Sequence, residues 1–293
     1  MTMDLRSVGM GVAFAVMWSS AFATARIIVA HAPPLAALSL RFAISGLIAV
    51  AVARALGQSW RVTQGQARSV LVFGICQNAL YLGLNFVAMQ TVEASLAVIV
   101  AASMPLIVAL LGWLFLGERV PPLGLAGLIL GMAGVALIMS TRVSGGADPW
   151  GIALCVAGAV ALAAATLSVR GASAGGNLLM IVGLQMLVGS VALGVVSAFT
   201  ETLHLRWSLS LILAFTYQLF IPGLAATLLW FTLVARIGAV RAATYHFLNP
   251  FFGVAIAAWL LAEPIVWQDI LGIAIIMMGI FAVQRARMAI TPG

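Results

Sequence analysis

An all-α integral membrane protein of ten transmembrane helices, built as two inverted five-helix repeats, is the fold class this sequence predicts. Three observations predict it. Hydrophobic residues make up 64% of the 293, charged residues only 7%, and mean hydropathy is +1.18, against roughly 25% charged residues in an ordinary soluble domain. Apolar stretches long enough to cross about 30 Å of hydrocarbon at about 1.5 Å per residue recur along the whole chain. Third, the chain matches itself at a spacing of 145 residues: Pro105 answers to Pro250, Glu118 to Glu263, Gly127 to Gly272 and Gly134 to Gly279, while Leu84, Phe86, Ala94 and Ala97 answer to Leu229, Phe231, Ala239 and Ala242. About five spans fit into one repeat, and because five is odd the second copy enters the bilayer upside down, as in secondary transporters.

The spans are expected near residues 8–30, 35–55, 67–89, 94–116 and 123–141 in the first repeat (1–145), and near 150–170, 178–199, 210–235, 240–262 and 268–284 in the second (146–293). The first span exceeds the apolar stretch of a cleavable signal peptide and belongs to a repeat unit, so it is expected to stay in the protein. Pro33-Pro34, Pro121-Pro122 and Glu263-Pro264 punctuate short links that keep successive helices antiparallel and adjacent. The segment from Arg142 to Trp150, with its Ser-Gly-Gly and Asp-Pro content, marks the turn between the repeats. In the fifth helix Gly124, Gly127, Gly131 and Gly134 form a small-residue stripe that permits close helix approach. Packing inside the same chain, and hence a monomer, is the preferred reading of that stripe over a dimer contact.

A sequence pI of about 11 raises the question of nucleic acid. The arginines are scattered singly between spans and there is no lysine, so no basic stripe exists to hold a nucleic acid backbone. Their placement reads as topology. With the N-terminus in the cytoplasm, the cytoplasmic ends carry Arg6, Arg54, Arg61, Arg68, Arg119, Arg170, Arg236, Arg241, Arg285 and Arg287, while the outer loops carry Arg142 and Arg206. Glu93, Asp148, Glu201, Glu263 and Asp269 then fall on the outer side. Cys76 and Cys155 lie within spans and read as small core residues. No phosphate loop, nucleophile elbow or metal-binding motif is present, so no catalytic residue, metal or cofactor is expected.

The segments ASLAVIVAASMPLIVALLGWLFLGERVPPLGLAGLILGMAGVALI and AATYHFLNPFFGVAIAAWLLAEPIVWQDILGIAIIMMGIFAV, with Trp18-Ser19-Ser20 in the first helix and Arg41-Phe42 in the second, resemble the drug/metabolite transporter superfamily, EamA type. The resemblance covers essentially the whole chain, and within the family it is similar to the YddG-type amino-acid exporters of bacterial inner membranes. It implies a basket of helices around a central cavity, with the fifth and tenth helices outside it.

Polar residues deep in a bilayer are costly and usually face a bundle interior or a wet cavity, so their positions indicate a pathway. In the third helix Gln77, Tyr81 and Asn85 recur at i, i+4 and i+8 on one face with Asn78 beside it, suited either to a zwitterion or to hydrogen bonding between helices. In the ninth helix Tyr245 and Asn249 repeat the spacing, with His246 and Pro250 adjacent. Pro105 and Pro250 occupy equivalent positions near mid-helix and act either as bending points or as static kinks. Trp18, Ser19 and Phe22 in the first helix and Trp230, followed by Phe231, in the eighth supply an aromatic wall or plain core packing. Arg26 and Arg41 lie toward the outer helix ends, where snorkelling to headgroups is the default. The sharper reading makes Arg41 a carboxylate site, or a gate that pairs with Glu93 or Glu263.

Together these point to a bacterial inner-membrane exporter of amino acids, aromatic and other neutral ones with broad specificity, working by alternating access. All seven acids fall at helix ends or in loops, so facilitated movement is expected in place of carboxylate-based proton antiport, with His246 as the one candidate for coupling. Drugs or other small metabolites are the alternative cargo, and lipophilic cations would call for a mid-span carboxylate. A lipid-modifying enzyme or a structural subunit is the alternative of another class, and three widely separated histidines do not favour the enzyme. The arginine asymmetry and the even span count place both termini in the cytoplasm: a reporter fused after Gly293 should be active only as a cytoplasmic fusion, and periplasmic activity would overturn the topology.

Overall fold

The computed structural model describes residues 5–117, 121–168, 176–237, 242 and 244–290. Asp4, Glu118, Arg119, Arg170, Ala239 and Arg241, and the side chains of Phe231 and Arg287, lie outside that description. The described residues form helices α1 (Leu5–Val29), α2 (Pro34–Ala55), α3 (Gln64–Ala88), α4 (Ala94–Phe115), α5 (Pro122–Ser144), α6 (Pro149–Ser168), α7 (Leu178–Thr200), α8 (Leu209–Gln218, continued through Leu219–Ala225 into Ala226–Ile237), α9 (Thr244–Leu261) and α10 (Trp267–Ile290). Among them nine are long and apolar enough to cross a membrane. The exception is α9, whose apolar stretch Tyr245–Leu261 is shorter, and residues 240, 241 and 243 of the expected span fall outside the description.

Local chemistry sets the helix starts. Pro34 and Pro122 open α2 and α5, where the fixed φ of proline suits the first turn and its missing N–H costs nothing. Thr63 and Gln66 cap α3 reciprocally: the Thr63 hydroxyl accepts from the Gln66 N–H at 3.3 Å, and the Gln66 amide oxygen accepts from the Thr63 N–H at 2.9 Å.

The chain forms two compact units, each drawing helices from both repeats. Unit 1 contains Met1–Ala23, Thr91–Ile152 and Ala225–Gly293; unit 2 contains Thr24–Gln90 and Ala153–Leu224.

In unit 1, α5 packs along α10 through glycine on both sides. A Cβ on Gly127 would lie 2.7 Å from the Gly279 carbonyl oxygen, and one on Gly134 would lie 3.1 Å from that of Gly272. Because Gly272 and Gly279 are the repeat equivalents of Gly127 and Gly134, this crossing is self-complementary, and the pairing of 127 with 279 and 134 with 272 makes the two copies antiparallel. The stripe therefore packs inside the chain. One end of the unit is tied by charge. Arg142, in the last turn of α5, donates to Glu93 before α4 and reaches the fully buried Asp269 of α10 at 2.6 and 3.2 Å. Glu263, just beyond α9, accepts from the N–H groups of Ala94 and Ser95 at 2.8 and 2.9 Å, placing a carboxylate on the N-terminal end of the α4 dipole. Before α6, the Thr91 hydroxyl and then the N–H groups of Trp150 and Gly151 hold the Asp148 carboxyl below the usual carboxylate range.

In unit 2, α2 and α7 are antiparallel partners. A Cβ on Gly46 would meet the Gly183 carbonyl oxygen at 3.0 Å, and Ser39 and Ser190 exchange hydroxyl-to-carbonyl bonds of 2.8 Å in both directions. At one end Glu201 accepts from the N–H groups of Leu35 and Ala36 at 2.8 and 2.9 Å. At the other end the Gln58 side chain accepts from Met180 N–H at 3.0 Å, and Asn177 accepts from Ser59 N–H at 3.1 Å. Each helix of the pair thus receives its N-terminal cap from the chain just beyond its partner.

Within hydrocarbon, helix association depends on close packing, since lipid is as apolar as leucine. Gly279→Ala, whose Cβ would sit 2.5 Å from the Gly131 backbone, should therefore lower stability by about 2 kcal/mol or more. Gly9→Ala on α1, with nothing within 4 Å, should not lower it, since alanine favours the helix over glycine. Thermal unfolding of the two purified variants checks the contrast, and equal midpoints would refute the packing argument.

Candidate functional site

Four of the ten helices are irregular, and the irregularities come in pairs 145 residues apart. In α3 the backbone widens to a π-helical turn over Gly74–Tyr81, and in α8 over Leu219–Ala225. In α4 the helix breaks at Ser103 before Pro105, and in α9 a 3₁₀ turn over Thr244–Leu248 precedes Pro250. Proline lacks the donor that would bond four residues back and its ring crowds that carbonyl. The backbone answers with tighter bonds, Ser103 N–H to Val100 O at 3.1 Å and Leu106 N–H to Ser103 O at 2.9 Å. Pro222 inside the widened turn of α8 likewise removes a backbone donor. The equivalent position in α3 is Gln77, so no proline explains that turn. Wide turns of this kind concentrate at functional sites.

Unit 1 gathers an aromatic cluster. Phe14 of α1 lies 4.7 Å from Trp230 of α8 and 5.1 Å from His246 of α9 between ring centroids, with Trp18 at 5.7 Å from Phe14 and 6.3 Å from His246. Trp230 and His246 meet at 4.8 Å. Polar atoms border the rings. The Asn249 amide nitrogen and His246 Nδ1 are 3.0 Å apart, and the Ser19 hydroxyl donates to the Asn249 carbonyl at 3.1 Å. The side-chain oxygen of Asn249 and the hydroxyl of Tyr245 are buried without a hydrogen-bond partner, a state that costs roughly 1–3 kcal/mol per group. Tyr245 lies flat on Gly11 of α1, where a Cβ would stand 2.3 Å from its ring. Phe22 is buried on α1. Of the residues singled out in α1, α8 and α9, the fold brings Trp18, Ser19, Trp230, His246 and Asn249 together. Pro105 and Pro250 each sit in the first turn of the helical segment that follows the break.

Unit 2 holds the polar residues of α3. Asn78, Tyr81 and Asn85 are buried and Gln77 is half-buried. Asn78 donates to the Gln185 carbonyl of α7 at 2.9 Å, so its amide joins two helices. Asn85 donates to the Tyr81 carbonyl at 2.7 Å, and its side-chain oxygen is buried without a partner. Arg26 donates to the Met89 carbonyl at the end of α3.

Arg41 departs most from the sequence reading. Snorkelling would leave it exposed, yet it is only 6% exposed and donates to the Gln218 side-chain oxygen of α8 at 2.9 Å. Its guanidinium also lies 4.8 Å from the Phe42 ring. The acids considered as its gate partners are engaged elsewhere, Glu93 by Arg142 and Glu263 by the backbone of α4. Sequence reasoning missed Gln218, Ser45, Phe14 and the two close-approach glycines Gly11 and Gly223. A signal existed for Gln218, a lone amide deep in an apolar span, and for Phe14, one turn before Trp18. None existed for the glycines, since any small residue in a span looks alike.

The EamA-like transporter family matches residues 5–140 and 149–285. An uncharacterized transporter of Bacillus subtilis (strain 168), YvbV, is 28% identical over 92% of this chain and 88% of its own length. An uncharacterized transporter of Archaeoglobus fulgidus is 26% identical over 92% and 95% respectively. The uncharacterized inner membrane transporter YedA of Escherichia coli (strain K12) is 27% identical over 93% and 88%. A solved crystal structure shares the fold at a TM-score of 0.65 and 19% identity, covering 99% of this chain and 100% of the other.

The flat contact of Tyr245 on Gly11 generates a coupling test. Gly11→Ala should cost about 1–3 kcal/mol by overpacking, and the cost should shrink by at least about 1 kcal/mol in a Tyr245→Leu background. A thermal-unfolding cycle of the four proteins measures it, and strict additivity would refute the contact.

Proposed function

Because the chain belongs to the EamA-like transporter family, we propose that it exports neutral amino acids, aromatic ones among them, by facilitated alternating access across a bacterial inner membrane with both termini cytoplasmic. The observation that carries the substrate class is the cluster of Phe14, Trp18, Trp230 and His246 beside Asn249, whose side-chain oxygen is buried without a partner. Aromatic rings accept an apolar side chain, and a neutral carbonyl oxygen beside them accepts an ammonium hydrogen. A lipophilic cation would need a buried counter-charge. The acids of the described residues instead stand at helix ends, where Glu93, Glu201, Glu263, Asp148 and Asp269 are each engaged by a backbone N–H, a hydroxyl or Arg142. The same placement supports movement down a gradient without carboxylate-based proton exchange. The inner-membrane assignment draws on the name of YedA.

Alternating access needs elements with two arrangements, and the paired breaks at Pro105 and Pro250 are suited to supply them. In liposomes containing the purified protein, labelled phenylalanine and leucine should leave down their gradients faster than from protein-free vesicles. Pro105→Ala and Pro250→Ala should each reduce that flux about tenfold or more per folded molecule while expression falls far less. Absence of flux for every neutral amino acid tried would refute the substrate class. Equal losses of flux and folded protein would reduce the prolines to static kinks.

A further inference from the structure

We infer that Arg41 and Ser45 of α2, facing the π-helical turn of α8, form a binding site for a carboxylate; that the carboxylate is an amino acid's rests on the amino-acid reading above. Arg41 lies about 10 Å along α2 from its N-terminal end, and its guanidinium stays protonated at any physiological pH. Unit 2 contains one acidic residue in its whole sequence, Glu201. Both oxygens of that carboxylate are occupied by the N–H groups of Leu35 and Ala36, and the Ser197 hydroxyl adds a third bond at 2.7 Å. The fully buried Gln218 offers Arg41 a dipole but no negative charge. A buried cation therefore sits in a unit that supplies it no counter-ion, the circumstance in which an intramembrane ionisable group marks a ligand site.

The geometry says which ligand. Nη1 is occupied by Gln218, while Nε is buried and has no partner. The edge of the guanidinium carrying Nε and Nη2 is the one that binds a two-oxygen anion side-on through two parallel hydrogen bonds. One helical turn along α2, the Ser45 hydroxyl is completely buried and also without a partner. Both groups converge on Gly223, where a Cβ would lie 2.9 Å from the Gln218 carbonyl oxygen, 3.5 Å from Ser45 Oγ and 3.8 Å from Arg41 Nη2. Glycine at that point of the turn puts no side chain between the two groups. The centroid of the Phe42 ring lies 4.8 Å from the guanidinium carbon. One guanidinium edge and one hydroxyl satisfy a monovalent, planar carboxylate. A phosphate would carry more charge than this single cation balances, and Arg26 is turned to the Met89 carbonyl.

Ligand-induced shifts in the unfolding midpoint of the purified full-length protein in nanodiscs test the site, with four probes: 3-phenylpropionate (carboxylate only), 2-phenylethylamine (ammonium only), phenylalanine and inorganic phosphate. Phenylpropionate and phenylalanine should bind the native protein, and Arg41→Gln should weaken both at least about tenfold while phenylethylamine is unaffected. Should Arg41→Gln fail to fold, Ser45→Ala should weaken phenylpropionate several-fold, and Gly223→Ala, which crowds the same point, should do so as well. Phenylpropionate that does not bind, or binds Arg41→Gln or both substitutes as it binds the native protein, would overturn the site. Phosphate binding that exceeds phenylpropionate and is lost with Arg41 would overturn the carboxylate assignment. Two patterns separate this inference from the function proposed above. Phenylpropionate binding that depends on Arg41, with no phenylalanine binding, upholds the site and rejects the amino-acid reading; phenylalanine binding indifferent to Arg41 and Ser45, with no phenylpropionate binding, does the reverse.

Discussion

Backbone-to-backbone approach between equivalent helices of opposite repeats is the constraint on which the rest of unit 1 depends. Gly127 lies against Gly279 and Gly134 against Gly272, so one pattern of small residues, written twice, supplies both sides of its own interface. In lipid no hydrophobic driving force brings helices together, and close contact over a long seam replaces it. The crossing works only if the copies run in opposite directions. With α5 and α10 locked, their flanking acids and Arg142 are brought to one end, where Asp269 is buried and Glu93 is drawn to the start of α4. In unit 2 the α2 and α7 pair does the same through Gly46, Gly183 and the two serine bonds.

With packing supplied by these regular helices, the irregular ones are free to carry polar chemistry. Both π-helical turns belong to unit 2 or its boundary, and both proline breaks belong to unit 1. Only some of these distortions have a local cause. Pro222 explains the turn in α8, but its counterpart Gln77 does not explain the turn in α3. Gly117 ends α4 in a left-handed conformation at φ 62°, as glycine readily does, yet its counterpart Ala262 is held at φ 54°, where a Cβ is unfavourable. The repeat geometry overrides the residue preference.

Charge is distributed by the same logic. Carboxylates stand where a helix N-terminus or an arginine can receive them: Glu201 on α2, Glu263 on α4, Asp269 and Glu93 on Arg142. Each is thereby removed from the pool of counter-ions. Among the described residues Arg41 is left with an amide and an aromatic ring, which orient a guanidinium without neutralising it.

The sequence by itself determined the class, the approximate span limits, the repeat and its inversion, and the small-residue stripe on α5. Those properties follow from composition, from apolar run length and from the oddness of the span count, each of which is local or additive along the chain. It also marked Trp18, Trp230, His246 and Asn249, because polar and aromatic residues stand out in an apolar helix. Only the tertiary structure decided which of these meet, that Asn78 spends its amide on α7, that Arg41 turns inward to Gln218, and that Gly11 is needed where the Tyr245 ring comes close and Gly223 where the Gln218 carbonyl does. Periodicity assigns a residue to a face of its own helix, but which neighbour covers that face, and at what separation, depends on contacts more than a hundred residues away in the chain.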